Sequence, residues 1–292
     1  MSEFIRNVLT VDLEDWFHVT NFERYINRQD WKSCQTRVQH TVPRLLDIFA
    51  EHRVHATFFV LGWIAKRFPQ LMRRISEQGH ELASHGDEHR LVTHQTSAEF
   101  KEQLIASRDS IEQSAGQPIF GHRAPTYSLR HSTSWAIQIL LEAGFRYDSS
   151  VYPFGPHRDP ELCDSRFPCH LYDHGSGVLT EYPLTTYRLA GLNLPVAGGG
   201  YLRLLPYPLV RWAIRRMNQQ GWPAITYLHP WEIDPHQPRV PQASWLAKFR
   251  HYHRLDQTET KLRRLLSDFK FGSIREVFWS PQTQRYELVP QA

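Results

Sequence analysis

The sequence has few cysteines, no long hydrophobic run and no strong excess of charge of either sign. Three cysteines in 292 residues do not suggest a disulfide framework. No run of about 18 apolar residues occurs, so we expect no membrane-spanning helix. The first residues, MSEFIRNVLTVDLEDWF, contain no basic segment followed by an apolar one, and hence no signal peptide pattern. We therefore expect a cytoplasmic protein.

The charge balance argues against a nucleic-acid partner. The 34 basic and 30 acidic side chains give a formal net charge of +4 and are spread along the chain. A nucleic-acid interface requires a basic patch, which this distribution does not predict. With 41% hydrophobic and 13% aromatic residues, the chain has the composition of a globular enzyme with a complete core.

Short apolar runs alternate with amphipathic segments, which is typical of strand–helix units and a mostly parallel sheet. NVLTVDLED, HATFFVLG, HELAS, FRYDSS and AITYLHPWE are predicted strands, and IREVFW a closing one. We predict a helix starting near Pro43, a helical segment broken at Pro69, and a helix capped by the Thr96–Glu99 pair. A long basic helix is expected near 244–267. The pattern predicts one α/β domain with a C-terminal extension.

Four polar clusters each follow a predicted strand. They are DLED, HGDEH, GHRAP near 121–125 and LHPWE near 228–232. Because the carboxyl ends of parallel strands meet at one rim of a barrel, where active sites gather, these clusters are expected to converge. This convergence is the main argument for an enzyme.

The HGDEH cluster has the composition of a metal site. His85 and His89 would share one face if the turn after the strand is helical. Two imidazoles and one carboxylate, with positions open to water, form a catalytic metal arrangement, whereas a polar surface turn is the alternative. In an extended DLED segment Asp12 and Glu14 point the same way and Asp15 oppositely, so one acid could bind metal while another takes a proton.

TVDLEDW, SHGDEH, HRAPTY and LHPWE, in this order, resemble the motifs of the polysaccharide deacetylases, the NodB-homology carbohydrate esterases. The resemblance extends from about residue 8 to 235. The following KFRHYHRLDQTETKLRRLLSDFKF is similar to the C-terminal extension of deacetylases associated with exosortase and exopolysaccharide gene clusters. The resemblance implies a single domain, residues 1–292, folded as a distorted (β/α) barrel of the NodB-homology type. A C-terminal helical extension, about 236–292, would pack on it.

The resemblance also implies removal of N-acetyl groups from sugars with a divalent metal. This metal is often zinc, with cobalt, nickel or iron as alternatives. Asp12 matches the catalytic base, and His85 and His89 match the metal ligands. The family has a second aspartate where this chain has Leu13. Same-face geometry then favours Glu14 as the ligand, and Asp15 remains the alternative.

Further family residues carry over from the later motifs. Arg123 matches an arginine that orients the base, and His229 a histidine that protonates the departing amine. Thr126 would donate its backbone N–H to the oxyanion, although the family more often has an aromatic residue followed by glycine, where this chain has Tyr127 and Ser128. These are the expected catalytic residues.

Substrate contacts are expected from Tyr127, Asp148 and Trp231. The two aromatic residues suit stacking on sugar rings, although aromatics also fill cores, and Asp148 could instead cap a turn or fix Arg123. The resemblance implies an exopolysaccharide, or its lipid-linked glycan precursor at the inner face of the membrane, as substrate.

Three alternatives stay open at this point. HGDEH also satisfies the inverted zincin pattern of metallopeptidases, which requires a helix. The same scaffold could hydrolyse a small non-sugar amide, because fold does not fix substrate. A catalytically inactive sugar-binding module is the third.

Overall fold

The computed structural model describes residues 5–172 and 177–290, and a mostly parallel sheet with surrounding helices forms this part of the chain. The strands are β1 Asn7–Leu13, β2 Thr57–Val60, β3 Glu81–Ser84, β4 Gly121–His122, β5 Tyr147–Asp148, β6 Cys169–Tyr172, β7 Val178–Glu181, β8 Thr186–Leu189, β9 Leu192–Pro195, β10 Ile225–Leu228, β11 Phe271–Gly272, β12 Trp279–Ser280 and β13 Arg285–Tyr286. The helices are α1 Val38–His52, α2 Gly62–Arg67, α3 Pro69–Glu77, α4 Ser97–Ala115, α5 Trp135–Glu142, α6 Gly199–Leu204, α7 Tyr207–Gln219, α8 Trp245–Tyr252, α9 Leu255–Asp268 and α10 Ile274–Phe278.

The strands form the distorted (β/α) barrel that the sequence predicts. Parallel neighbours run in the order β10-β1-β2-β3-β4-β5-β7, β6 adds antiparallel to β7, and β11 adds to β1. The ring closes just beyond β7, where the Thr185 N–H donates to the Ile225 carbonyl at 3.2 Å. The Ile225 N–H donates in turn to the Thr185 hydroxyl at 2.7 Å. The carboxyl ends of the parallel strands therefore share one rim.

Helices cover the outside of this barrel and bury its apolar face. The expected break at Pro69 separates α2 from α3, and the Thr96–Glu99 capping box begins α4. Apolar side chains of α1, α4, α5 and α7 pack with the central strands in one large core. Within the described residues, every helix is too short or too polar to cross a bilayer.

Three local predictions were wrong. Helix α1 begins at Val38 rather than Pro43 because the distant Asp15 carboxylate accepts the N–H groups of Arg37 and Val38. The long basic helix is two helices, α8 and α9, separated at Arg254, which has a φ of 54°. IREVFW is mainly α10, which Ser273 caps together with Glu276.

We predict that Gly62→Ala lowers the free energy of unfolding by about 1–3 kcal/mol. A Cβ at Gly62 would lie 2.8 Å from the Ser107 Cα in α4 and 2.1 Å from the Asp87 carboxylate, so α2 would have to move. Urea denaturation measures the change. Gly200→Ala is the control, because a Cβ there meets no atom within 4 Å. Equal stability of both variants would contradict this packing argument.

Candidate active site and metal centre

The four polar clusters meet at the carboxyl rim of the barrel around a cavity of about 310 Å³. DLED follows β1, HGDEH follows β3, HRAPTY follows β4 and LHPWE follows β10. The predicted residues that line this cavity are Asp12, Glu14, His85, His89, Thr126, Tyr127, His229 and Trp231. Two predicted residues, Arg123 and Asp148, are buried and lie outside the cavity lining.

Glu14 and the two histidines form a compact set of metal-ligand atoms. The Glu14 Oε1 lies 3.1 Å from the His85 Nε2 and 3.0 Å from the His89 Nε2. The ligand atoms all lie within 4.8 Å of one another, and the three residues are buried. The HGDEH segment is a loop in which Gly86 and His89 have positive φ, so the expected helical turn is absent. The same observation argues against the inverted zincin pattern, which needs a helix.

The hydrogen bonding of His85 leaves its Nε2 available to bind a metal. Its Nδ1 lies 2.8 Å from the Arg123 carbonyl, which can only accept, so Nδ1 carries the proton. In the neutral imidazole the lone pair of Nε2 then faces the Glu14 carboxylate, where a metal cation would bind both atoms. Metal-ligating histidines commonly have such a second hydrogen bond. The donor set therefore fits a divalent metal.

The ionisation of Glu14 is consistent with the same role. Burial acts to raise the pKa of Glu14, but the neighbouring imidazoles of His89 and His85 outweigh it and hold this pKa well below its usual range. Asp15 lies elsewhere, because its carboxylate accepts the N–H groups of Trp16, Arg37 and Val38. Glu14 is thus the acid that the fold brings to the histidines.

Asp12 lies beside this centre and is held by Arg123. The Arg123 Nη1 donates to the Asp12 Oδ1 at 2.6 Å and to the Thr10 hydroxyl at 2.9 Å. The carbonyl and hydroxyl of Ser149 accept from the Arg123 Nε and Nη2, and the guanidinium lies 4.0 Å from the Phe59 ring centroid. Since Arg123 is completely buried, it can position the base but cannot reach a substrate.

The backbone at Thr126 has the strain that is typical of a functional turn. Thr126 and Tyr127 have φ values of 54° and 55°, which β-branched and aromatic residues rarely adopt. Among the described residues, none accepts a hydrogen bond from the Thr126 N–H. An unpaired N–H in the wall of the cavity is suited to bind an oxyanion.

His229 belongs to a chain of buried ionic groups that sequence reasoning missed. Its Nδ1 lies 2.8 Å from the Glu232 Oε1, and the Glu232 Oε2 accepts from the Arg203 Nε at 2.8 Å. Burial acts to lower the pKa of His229, but Glu232 and Glu14 outweigh it and raise this pKa to about 9. The Glu232 carboxylate therefore favours the protonated form of His229. The acid in LHPWE was the available signal for Glu232, whereas Arg203 lies far away in sequence.

We predict that Glu232→Gln shifts the alkaline limb of the kcat–pH profile downward by about one pH unit. As the expected general acid, His229 would work only while protonated, so activity should fall as pH rises through its pKa. Removing the Glu232 charge lowers that pKa, and the proton is lost at lower pH. Glu142→Gln, an exposed carboxylate paired with Lys101, is the matched control. An unshifted limb would contradict the pairing of His229 with Glu232.

Of the three residues predicted to contact substrate, Tyr127 and Trp231 line the cavity and Asp148 does not. Trp231 lines the cavity between His229 and His251, with ring centroids 5.0 and 4.1 Å away. Tyr127 also lines it, and its hydroxyl lies 3.5 Å from the Asp12 Oδ2. Asp148 is not placed to contact a substrate, contrary to the prediction, because it is completely buried and its Oδ1 pairs with the His122 Nδ1 at 2.7 Å.

Two protein families match consecutive parts of the chain. Residues 31–147 match the family described as polysaccharide deacetylase, and residues 149–279 match a domain of unknown function, DUF3473. A solved structure from Mycobacterium smegmatis, assigned as a polysaccharide deacetylase, aligns over 90% of this chain and 84% of its own with a TM-score of 0.57. At 21% sequence identity, this similarity shows the fold.

Curated relatives match over shorter segments. A chitooligosaccharide deacetylase of Sinorhizobium fredii is 40% identical over 84 residues, which is 28% of this chain and 39% of the relative. A peptidoglycan deacetylase of Helicobacter pylori is 31% identical over 110 residues, or 38% of this chain and 36% of the relative. The chain thus spans well under half the length of these two relatives. The chain is thus similar to the polysaccharide deacetylases over residues 31–147, and a match to DUF3473 follows directly.

Proposed function

We propose that the protein is a metal-dependent hydrolase that removes N-acetyl groups from an amino-sugar polysaccharide, or from its precursor, and releases acetate. The observation that carries this proposal is the convergence of Glu14, His85 and His89, with Asp12 beside them and His229 on the same cavity. Such an arrangement supplies a metal centre, a base and an acid together. An inactive sugar-binding module would not require this combination.

Different residues of the chain have different roles in the proposed amide hydrolysis. Glu14, His85 and His89 would hold a divalent metal, preferably zinc, which when bound polarises a carbonyl and lowers the pKa of water. Asp12 takes the proton from the attacking water and is kept in place by Arg123.

Thr126 and His229 act in the later steps of the reaction. The Thr126 N–H donates to the oxyanion as the carbonyl carbon becomes tetrahedral. His229 then gives its proton to the sugar nitrogen, the C–N bond breaks, and acetate leaves. The raised pKa of His229 supports this role, because the acid has to be protonated before bond cleavage.

The proposed substrate is an N-acetylated glycan of exopolysaccharide biosynthesis, or its lipid-linked precursor at the inner face of the membrane. The names of the relatives support the glycan class, since they describe deacetylases of chitooligosaccharide and peptidoglycan. The aromatic side chains of Tyr127, Tyr201 and Trp231 in the cavity wall suit sugar rings.

Acetate release from a panel of N-acetylated oligosaccharides tests the proposal. We expect release from at least one amino-sugar oligomer by the metal-loaded protein, and a rate at least about 100-fold lower from the Asp12→Asn variant. Small acetanilides and acetylated peptides belong in the same panel. Hydrolysis of a small amide without any glycan would instead favour an amidohydrolase on this scaffold.

A further inference from the structure

Helix α8 in the C-terminal extension holds a group of large apolar side chains in contact with solvent. Trp245 is 75% exposed, Leu246 48% and Phe249 37%. The rings of Trp245 and Phe249 stack with centroids 5.4 Å apart, beside a groove of about 470 Å³ that Val240 and Pro241 also line. Apolar side chains grouped in this way mark an interaction surface.

The segment around α8 is basic and contains no acid. Residues 235–255 include four lysines and arginines but neither aspartate nor glutamate. Arg239 and Lys248 line the groove itself. The Arg239 guanidinium lies over the Tyr252 ring at 4.2 Å, and the Lys248 Nζ donates to the Pro241 carbonyl. Within the described residues, neither cation forms a salt bridge with a carboxylate.

We propose that this surface, consisting of Arg239, Trp245, Leu246, Lys248 and Phe249 and here named the α8 surface, docks on an anionic lipid bilayer. Tryptophan, phenylalanine and leucine side chains enter the boundary between headgroups and acyl chains, and nearby cations attract anionic lipids. The charge favours this occupant over a second copy of the chain, because a symmetric contact between two α8 surfaces would place the same unpaired cations against each other. A sugar platform would use the aromatic rings and would not need the exposed leucine.

Helix α8 lies close to the mouth of the active-site cavity. The helix packs on the turn Thr20–Phe22, where the Phe22 ring lies 4.5 Å from the His251 ring. Thr20 in that turn and Arg250 in the helix both line the active-site cavity. A bilayer against the α8 surface would therefore lie next to the cavity mouth. This inference stands on surface residues and does not depend on the proposed deacetylase activity.

Vesicle flotation with the full chain tests the apolar part of the proposal. We expect the wild type to float with phosphatidylcholine vesicles that contain phosphatidylglycerol. The double variant Trp245→Ser/Phe249→Ser should lower the vesicle partition coefficient at least about tenfold. Leu189→Ser/Leu192→Ser is the matched control, because these leucines are 50% and 68% exposed on the β8–β9 hairpin. Circular dichroism verifies that each variant is folded.

A second pair of variants tests the charges. Arg239→Gln/Lys248→Gln should weaken binding about fivefold for each charge removed, and added salt should weaken binding of the wild type. The control variant is Arg215→Gln/Arg216→Gln, which removes two cations from the exposed side of α7. It should leave vesicle binding unchanged. The proposal is overturned if the wild type does not float, if it floats equally with pure phosphatidylcholine, or if the controls lose as much binding. A dimer in light scattering that the Trp245→Ser/Phe249→Ser variant abolishes, without vesicle binding, would make a second copy the occupant and would also overturn it.

Discussion

Replacing Asp12 with asparagine is expected to lower kcat for acetate release by about 10²–10⁴-fold. The amide cannot accept the proton of the attacking water, and Asp12 is the carboxylate that Arg123 holds at 2.6 Å beside the metal-ligand set. Steady-state acetate release by the metal-loaded protein measures the effect. KM should change little, because the substitution removes proton transfer and leaves the cavity wall in place.

This result has to be separated from a loss of folding or of metal. Asparagine leaves the buried Arg123 without its counterion, so we also expect lower thermal stability. The assay is therefore run at a temperature at which circular dichroism shows the variant to be folded. Metal content should equal that of the wild type because Asp12 is outside the ligand set. Normal acetate release from a folded variant would remove Asp12 from its proposed role.

His85→Ala is expected to abolish activity by a different route, through loss of the metal. Loss of a residue that only hydrogen-bonds to a metal ligand weakens metal affinity by up to about 100-fold. Removing one of the three ligands themselves should therefore weaken it by at least that much. Elemental analysis after dialysis measures metal content, and acetate release is measured on the same samples. Chelation of the wild type should give the same loss of activity, with recovery when zinc or cobalt is added.

His94→Ala is the matched control for that experiment. His94 lies in the same stretch of chain but is exposed and outside the cavity lining. It should retain both metal and activity. A His85→Ala protein that keeps its metal, or that releases acetate without metal, would contradict a centre built from Glu14, His85 and His89.

The α/β class and the meeting of the polar clusters could be predicted because their evidence is local and repeated, whereas the barrel was implied by the family resemblance. Buried strands read as continuous apolar runs, and each ends in polar residues that parallel topology brings to one rim. The structure brings Asp12, Glu14, His85 and His229 to one cavity, as the strand-end positions indicate. Even Glu14 could be preferred over Asp15 from the alternation of side chains along a strand.

The sequence could not predict features that depend on distant partners. Asp15 caps α1, which begins at Val38. Arg203 lies in α6, 29 residues before Glu232, and binds its carboxylate, which in turn pairs with His229. Both of these contacts join residues far apart in the chain, and only the folded chain displays them. The IREVFW segment is a different case. It has the composition of a strand, but Ser273 and Glu276 form a local Ser-x-x-Glu pattern that could have indicated the capping box of α10.

The chain cannot be cut within strand β5 without separating the two halves of the parallel sheet. The two matched family ranges, 31–147 and 149–279, meet at Asp148, which is within β5 and pairs with strands on both sides. A cut at that point would leave two open sheets, one carrying the imidazoles of His85 and His89 and the other that of His229. Neither fragment would contain a complete set of reacting groups. The boundary between the two family matches thus lies inside the parallel sheet.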